Sequence, residues 1–282
     1  MWPSEFDYQR PASLDEALQL LAANEDAKIL AGGHSLLPAM KLRLAEHDTL
    51  IDIGRLSELK GISNGSSLRI GSLTTHAEIA QSQAVRSACA ALATATGMVG
   101  DQQVRNWGTL GGNIAHADPA SDPPPVILAC EGTIHIQGSS GSRSVAAEDF
   151  FIDLFTTDLQ PGEIITSIEI PNLNGAKTGY AKMAHPASRY AIVGVAVVLN
   201  MDGSTCSSAH VAVGGATVKA VRSSGAEDAL AGSSLDDAAL DNAAAALKSD
   251  IEEWLIGDMV FPEEYRQQMA GVYLKRAVRA AN

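Results

Sequence analysis

The chain of 282 residues is long enough for two compact domains or one large one. With 46% hydrophobic and 19% charged residues it has the make-up of an ordinary globular protein, and 20 basic against 33 acidic residues leave a formal net charge of −13. That balance argues against nucleic acid, whose binding rests on Lys and Arg meeting phosphates, and against an anionic membrane surface.

No charged leader followed by an apolar stretch opens the sequence, and the longest apolar segment, 190–199, is too short to span a bilayer. The expectation is a cytoplasmic chain that meets a membrane only through a larger complex. Cys89, Cys130 and Cys206 are odd in number and form no C-x-x-C. They suit neither a disulfide framework nor a cluster of their own, and read as buried thiols. The seven histidines contain no H-x-x-x-H or H-E-x-x-H, so no metal site is expected.

In chain order, Ser13 with Glu16 forms an S-x-x-E capping box ahead of Leu14, Ala17, Leu18, Leu20 and Leu21, which predicts a helix ending near Asn24. Short strands follow at 28–31 and 49–53. Residues 63–65 read as a turn before a strand at 68–70, a helix begins near 74, and 85–96 reads as one Ala-rich helix. Residues 97–125 read as a long glycine-punctuated loop, of a length more often functional than accidental. Strands at 133–137 and 143–145 flank GSSGS as a hairpin, and 163–170 is a strand ending at Pro171. Past a short linker at 172–175, strands at 191–200 and 208–213 turn around Asp202-Gly203, Ala-rich helix fills 225–250, and 262–281 is a terminal helix.

Two glycine pairs carry the chemistry. Ala31-Gly32-Gly33-His34-Ser35-Leu36 follows a strand directly, and Thr109-Leu110-Gly111-Gly112-Asn113 lies in the long loop. Glycine lets the backbone approach a ligand closely and reach positive φ, and successive N–H groups there form an anion-binding nest. Ser35, Thr109 and Asn113 add side-chain donors. Two such loops converging can hold a pyrophosphate from both sides, against the overall negative charge. No G-x-G-x-x-G follows a strand and no G-x-x-x-x-G-K-[ST] occurs, which disfavours a Rossmann NAD domain and a P-loop NTPase. Taken singly, each pair also fits an ordinary tight turn.

The combination of A-G-G-H-S-L-L-P near residue 31, T-L-G-G-N near 109, S-R-Y-A-I-V-G-V-A-V near 190 and M-A-G-V-Y-L-K-R-A-V near the C-terminus resembles the medium, FAD-binding subunit of carbon monoxide dehydrogenase and its relatives in the xanthine dehydrogenase and aldehyde oxidase group. The resemblance covers essentially the whole chain. It implies an α+β fold: a two-lobed FAD-binding domain of the PCMH/vanillyl-alcohol-oxidase-like type over 1–174, with lobes at about 1–57 and 58–174, then a C-terminal β-meander-plus-helices domain over 178–282.

It also implies that Ala31, Gly32, Gly33, His34, Ser35 and Leu36, with Thr109, Gly111, Gly112 and Asn113, wrap the FAD pyrophosphate. Lys28 occupies a cofactor-contact position of variable residue type. Asp122 contacts the cofactor's polar chain, with Asp118 its rival. Tyr190 covers one face of the isoalloxazine, as in the carbon monoxide dehydrogenase branch. His34 serves through its backbone, and no general acid, base or nucleophile is required. The implied role is an electron-transfer subunit of a molybdenum hydroxylase: a small partner subunit carries [2Fe-2S] clusters, a large one carries molybdopterin, and two copies of the heterotrimer associate. Two rivals remain: a stand-alone FAD-dependent oxidoreductase, which needs its own acid and base at the flavin, and a non-redox nucleotide-binding module, which would be colourless.

Overall fold

A computed structural model describes residues 2–281; the outermost positions of the two expected domains, Met1 and Asn282, lie outside the described residues. The first lobe is a small parallel sheet in the order β1 (Asp7–Gln9), β3 (Thr49–Asp52), β2 (Ala27–Leu30). Between its strands run α1 (Leu14–Ala23) and α2 (Leu36–Lys41). Ser13 caps α1 by accepting from the Glu16 amide, but the Glu16 carboxylate bonds the Ala12 amide rather than closing the box on Ser13. Leu14, Ala17 and Leu18 pack with Ile51, Ile53, Leu56 and Leu59 into a core of their own.

The second lobe centres on a five-stranded antiparallel sheet ordered β4 (Ile62–Asn64), β5 (Ser67–Gly71), β10 (Ile164–Pro171), β6 (Thr133–Gly138), β7 (Gly141–Ala146). Of residues 63–65, expected as turn, Ser63 and Asn64 belong to β4 and pair with β5 instead. Between β5 and β6 lie six short helices: α3 (His76–Gln81), α4 (Gln83–Ala88), α5 (Ala90–Met98), α6 (Gln102–Trp107), α7 (Leu110–His116) and α8 (Pro123–Ala129).

Two expectations are corrected there. The single helix at 85–96 is two, parted at Cys89 (φ −153°, ψ 86°), and the long loop is mostly helix. Each helix in 97–129 is only six or seven residues long and too short to show a periodic stripe. They are held instead by side-chain caps at Asp101 and Thr109 and by Pro123–Pro125 at the start of α8. Beyond β7 come α9 (Ala147–Phe150) and the ribbon β8 (Phe151–Asp153), β9 (Thr156–Thr157).

The C-terminal region is a four-stranded antiparallel sheet, β11 (Lys177–Ala184), β12 (Ala191–Asp202), β13 (Thr205–Gly214) and β14 (Val221–Arg222), backed by α10 (Ser224–Leu230), α11 (Asp237–Asp250) and α12 (Glu263–Ala281). β11 escaped the sequence reading. In β12 the nine residues 191–199 are all buried, because both faces of the sheet are covered. Val193, Val195 and Val197 meet the helices α10–α12. Tyr180, Ala196, Val198 and Ala212 join the core of the second lobe. Bonds across this seam include Ala91 N–H to Thr178 Oγ1 and the Ala129 carbonyl with His210 Nδ1. Among the described residues no helix is long and apolar enough to cross a membrane.

Candidate cofactor-binding site

The two glycine loops touch. A Cβ on Gly32 would lie 2.1 Å from the Trp107 carbonyl oxygen and 3.0 Å from Gly108 Cα, and one on Gly112 would lie 3.7 Å from Ala31 Cβ. Gly32 is therefore a place where one loop's backbone lies flat against the other's and no side chain fits. Gly33 turns the chain with φ +72°.

Their chemistry differs. In the first loop the five consecutive backbone N–H groups of residues 32–36 have no acceptor among the described residues, because the chain leaves β2 and has not yet completed a turn of α2. His34 folds its Nδ1 back to 2.8 Å from the Gly32 carbonyl oxygen. This is an amide cup of the kind that binds anions.

The second loop was expected to be its twin, and the structure corrects that. Leu110 N–H donates to the Thr74 carbonyl and Gly111 N–H to the Ser72 carbonyl. Asn113 N–H donates to the Thr109 carbonyl, and Gly112 N–H reaches the Thr109 hydroxyl at 3.2 Å, as in an N-cap. Gly111 is required because a Cβ would strike Ser72 Cβ at 2.4 Å. The second loop is thus a wall fastened to residues 72–76. What it presents are side chains: the Thr109 hydroxyl and the amide of Asn113. Asn113 Nδ2 bonds Ser121 Oγ at 3.1 Å, while its Oδ1 is buried without a partner. Exchanging the two amide atoms keeps the Ser121 bond and leaves a donor at the unpartnered position.

The acidic segment is tied to this wall and to the C-terminal sheet. Beyond the Asn113–Ser121 bond, Ala191 N–H donates to the Ala120 carbonyl and Gly215 N–H to the Pro119 carbonyl. Tyr190 stands at that junction, 45% exposed. It lines a hollow of about 270 Å³ with Asp118, His185 and Arg266. Partial burial first, then the charges of Asp118 and Asp122, push its phenol above the usual range. Lys28 lies exposed within electrostatic reach of His116. Burial holds the His116 imidazole below its ordinary value, with Lys28 adding to that and Asp118 opposing it. A larger hollow, on the outer face of the second-lobe sheet around Arg69 and His135, is not part of this arrangement.

Residues 4–173 match the family described as the FAD binding domain in molybdopterin dehydrogenase, and residues 178–281 match the CO dehydrogenase flavoprotein C-terminal domain. The chain belongs to this flavoprotein family. It is an FAD-binding oxidoreductase chain of the α+β fold set out above. The glyceraldehyde dehydrogenase medium chain of Sulfolobus acidocaldarius is 42% identical over 252 residues, 89% of this chain and 90% of that one. The carbon monoxide dehydrogenase medium chain of Hydrogenophaga pseudoflava is 38% identical over 286 residues, 100% of this chain and 98% of that one. A solved carbon monoxide dehydrogenase from the same organism superposes with a TM-score of 0.95 at 39% identity, over 100% of this chain and 98% of the other.

The unshared amides at 32–36 and the orphaned Asn113 Oδ1 both fit an FAD-binding flavoprotein, since each is a polar group waiting for a ligand. Asp122, expected to contact the cofactor's polar chain, lies buried in an ion pair. Only 4% exposed, it accepts from Tyr180 Oη at 2.6 Å and pairs with Lys182 Nζ at 2.8 Å, and Lys182 also donates to the Met98 carbonyl. Burial raises its carboxyl pKa, and Lys182 opposes that rise. Asp118 is the acid left in the open hollow, where its Oδ1 accepts from Ala120 N–H. Lys182, Tyr180 and Ser121 were invisible to sequence reasoning. They lie in ordinary strand or Pro-rich contexts with no local motif, and only the fold brings 122 beside 180 and 182.

Proposed function

We propose that this chain is the FAD-binding electron-transfer subunit of a heteromeric molybdenum hydroxylase. It takes electrons from the [2Fe-2S] clusters of a small partner subunit and passes them to an external acceptor, while a large molybdopterin subunit hydroxylates the substrate. A dimer of heterotrimers, held in the cytoplasm or at a membrane through the complex, completes the reading. The observation that carries it is the run of five unshared amides at 32–36 lying against the Thr109–Asn113 wall.

FAD, when bound, supplies the redox chemistry, accepting electrons singly and delivering them in pairs. The protein's part is to bind, orient and shield. The amides of residues 32–36, with Ala31 as their hinge and the Ser35 hydroxyl beside them, neutralise the diphosphate; the Thr109 hydroxyl and the Asn113 amide face it from the wall. Gly111 and Gly112 let the wall approach. Lys28 adds positive charge at the rim. Tyr190 covers one face of the ring system, and Asp118 and Asp122 line the polar chain, Asp122 through lone pairs left over from Tyr180 and Lys182.

The test is anaerobic reduction of the flavin by a hydroxylase substrate, with and without the large and small subunits. Bleaching only in the complete mixture is expected. Bleaching of the isolated chain by a substrate would establish the stand-alone enzyme instead.

A further inference from the structure

We propose that Cys89 and Cys130 form a redox-active dithiol, at which a two-electron oxidant of the peroxide class closes a disulfide across the base of the segment carrying the second glycine loop. Their sulfurs lie 3.5 Å apart and both residues are buried. Covalent bonding needs them at about 2.05 Å, an approach of about 1.5 Å.

The positions are distinctive. Cys89 occupies the break between α4 and α5, and Cys130 caps the C-terminus of α8. The chain between them comprises α5 to α8, and with them Thr109–Asn113, Asp118 and Asp122. A bond between the ends would staple that whole segment.

The two thiols face each other directly. The hydrogen bond with Cys130 lowers the pKa of the Cys89 thiol against the opposing effect of burial, and the amides of Leu92 and Ala91 and the Thr178 hydroxyl add to that lowering. The neighbouring Cys89 and burial push Cys130 up. Either sulfur can attack first. When Cys89 leads, its sulfur attacks one oxygen of hydrogen peroxide, the O–O bond breaks, and a sulfenic acid and water form. Cys130 sulfur then displaces the second oxygen as water. Two thiols and one peroxide become one disulfide and two waters, so the sulfurs lose two electrons and the peroxide gains them. Cys206 lies in the other core with its thiol directed at the Ser208 carbonyl, and serves as an internal control.

The FAD-loaded full chain is treated with hydrogen peroxide, alkylated under denaturing conditions, digested and mass-analysed. The expected product is a linked pair of peptides containing Cys89 and Cys130, with a loss of about 2 Da for the two thiol hydrogens. Alkylation of both cysteines after peroxide, or their separate over-oxidation without a link, would overturn the proposal. The thermal midpoint of wild type should rise on oxidation and that of Cys130→Ser should not. A link that forms without raising the midpoint overturns the staple.

Discussion

At the residue scale, Gly32 shows most directly what one atom decides. A methyl group there meets a backbone oxygen at 2.1 Å rather than a flexible side chain. Gly32→Ala should therefore part the two loops, costing about 1–3 kcal/mol in stability by overpacking. It should also weaken FAD binding about tenfold or more through misplaced charge-assisted bonds; titration of apo-protein followed by flavin fluorescence reads both affinities. Lys182 makes a different case. Its charge and that of Asp122 are both almost fully enclosed, so Lys182→Met leaves a buried carboxylate unpaired and should destabilise by about 3–5 kcal/mol in urea unfolding. Adding Asp122→Asn should recover part of that loss, because the uncompensated charge is then gone.

His76 gives a pH signature at the same scale. It is buried against Gly108 and Arg105, and desolvation first, then the Arg105 charge, lower its pKa to about 4. The folded protein keeps it neutral, whereas the unfolded chain takes up a proton below about pH 6.5. Stability should therefore fall as the pH drops through 6.5 toward 4, by about 3 kcal/mol for this group, and lose nothing further below that. In His76→Gln the corresponding part of the slope should vanish from unfolding curves taken between pH 7 and 4.

Among the elements, legibility tracked length and periodicity. α1, α12 and the β12–β13 pair carry long, regular patterns, and the sequence places their ends within two residues except at the start of β13, which begins three residues before the expected 208. The short helices α6, α7 and α8 gave no such pattern, since one or two turns cannot display an amphipathic stripe. β11 was missed because KTGYAKMA alternates poorly: it is covered on one face by the second lobe and on the other by α12. Where periodicity fails, caps hold the helices, and α7 depends on its own at Thr109. Thr109→Val removes the acceptor for Gly112 N–H at the head of a seven-residue helix. A loss of about 1 kcal/mol is expected, with Thr109→Ser close to wild type in thermal melts and in FAD affinity.

Over the whole molecule, the order of the glycine motifs made the family legible, while their division of labour was not. Both loops read as amide cups because glycine pairs look alike in one dimension. Only the fold shows that Ser72, Thr74 and Thr109 consume the amides of residues 110–113 while those of the first loop stay unshared. The same holds for the acids: the sequence put Asp118 and Asp122 four residues apart, and the C-terminal sheet, by supplying Tyr180 and Lys182, drew one inward and left the other at the hollow.

The central claim is that a diphosphate is read by the main chain at residues 32–36. Titrating the apo-protein in parallel with FAD and with riboflavin, which lacks both phosphates, tests it most directly. One FAD per chain should bind, at least about a hundredfold more tightly than riboflavin, given two or more charge-assisted bonds. Equal affinity for the two flavins, or no binding of FAD, would contradict it.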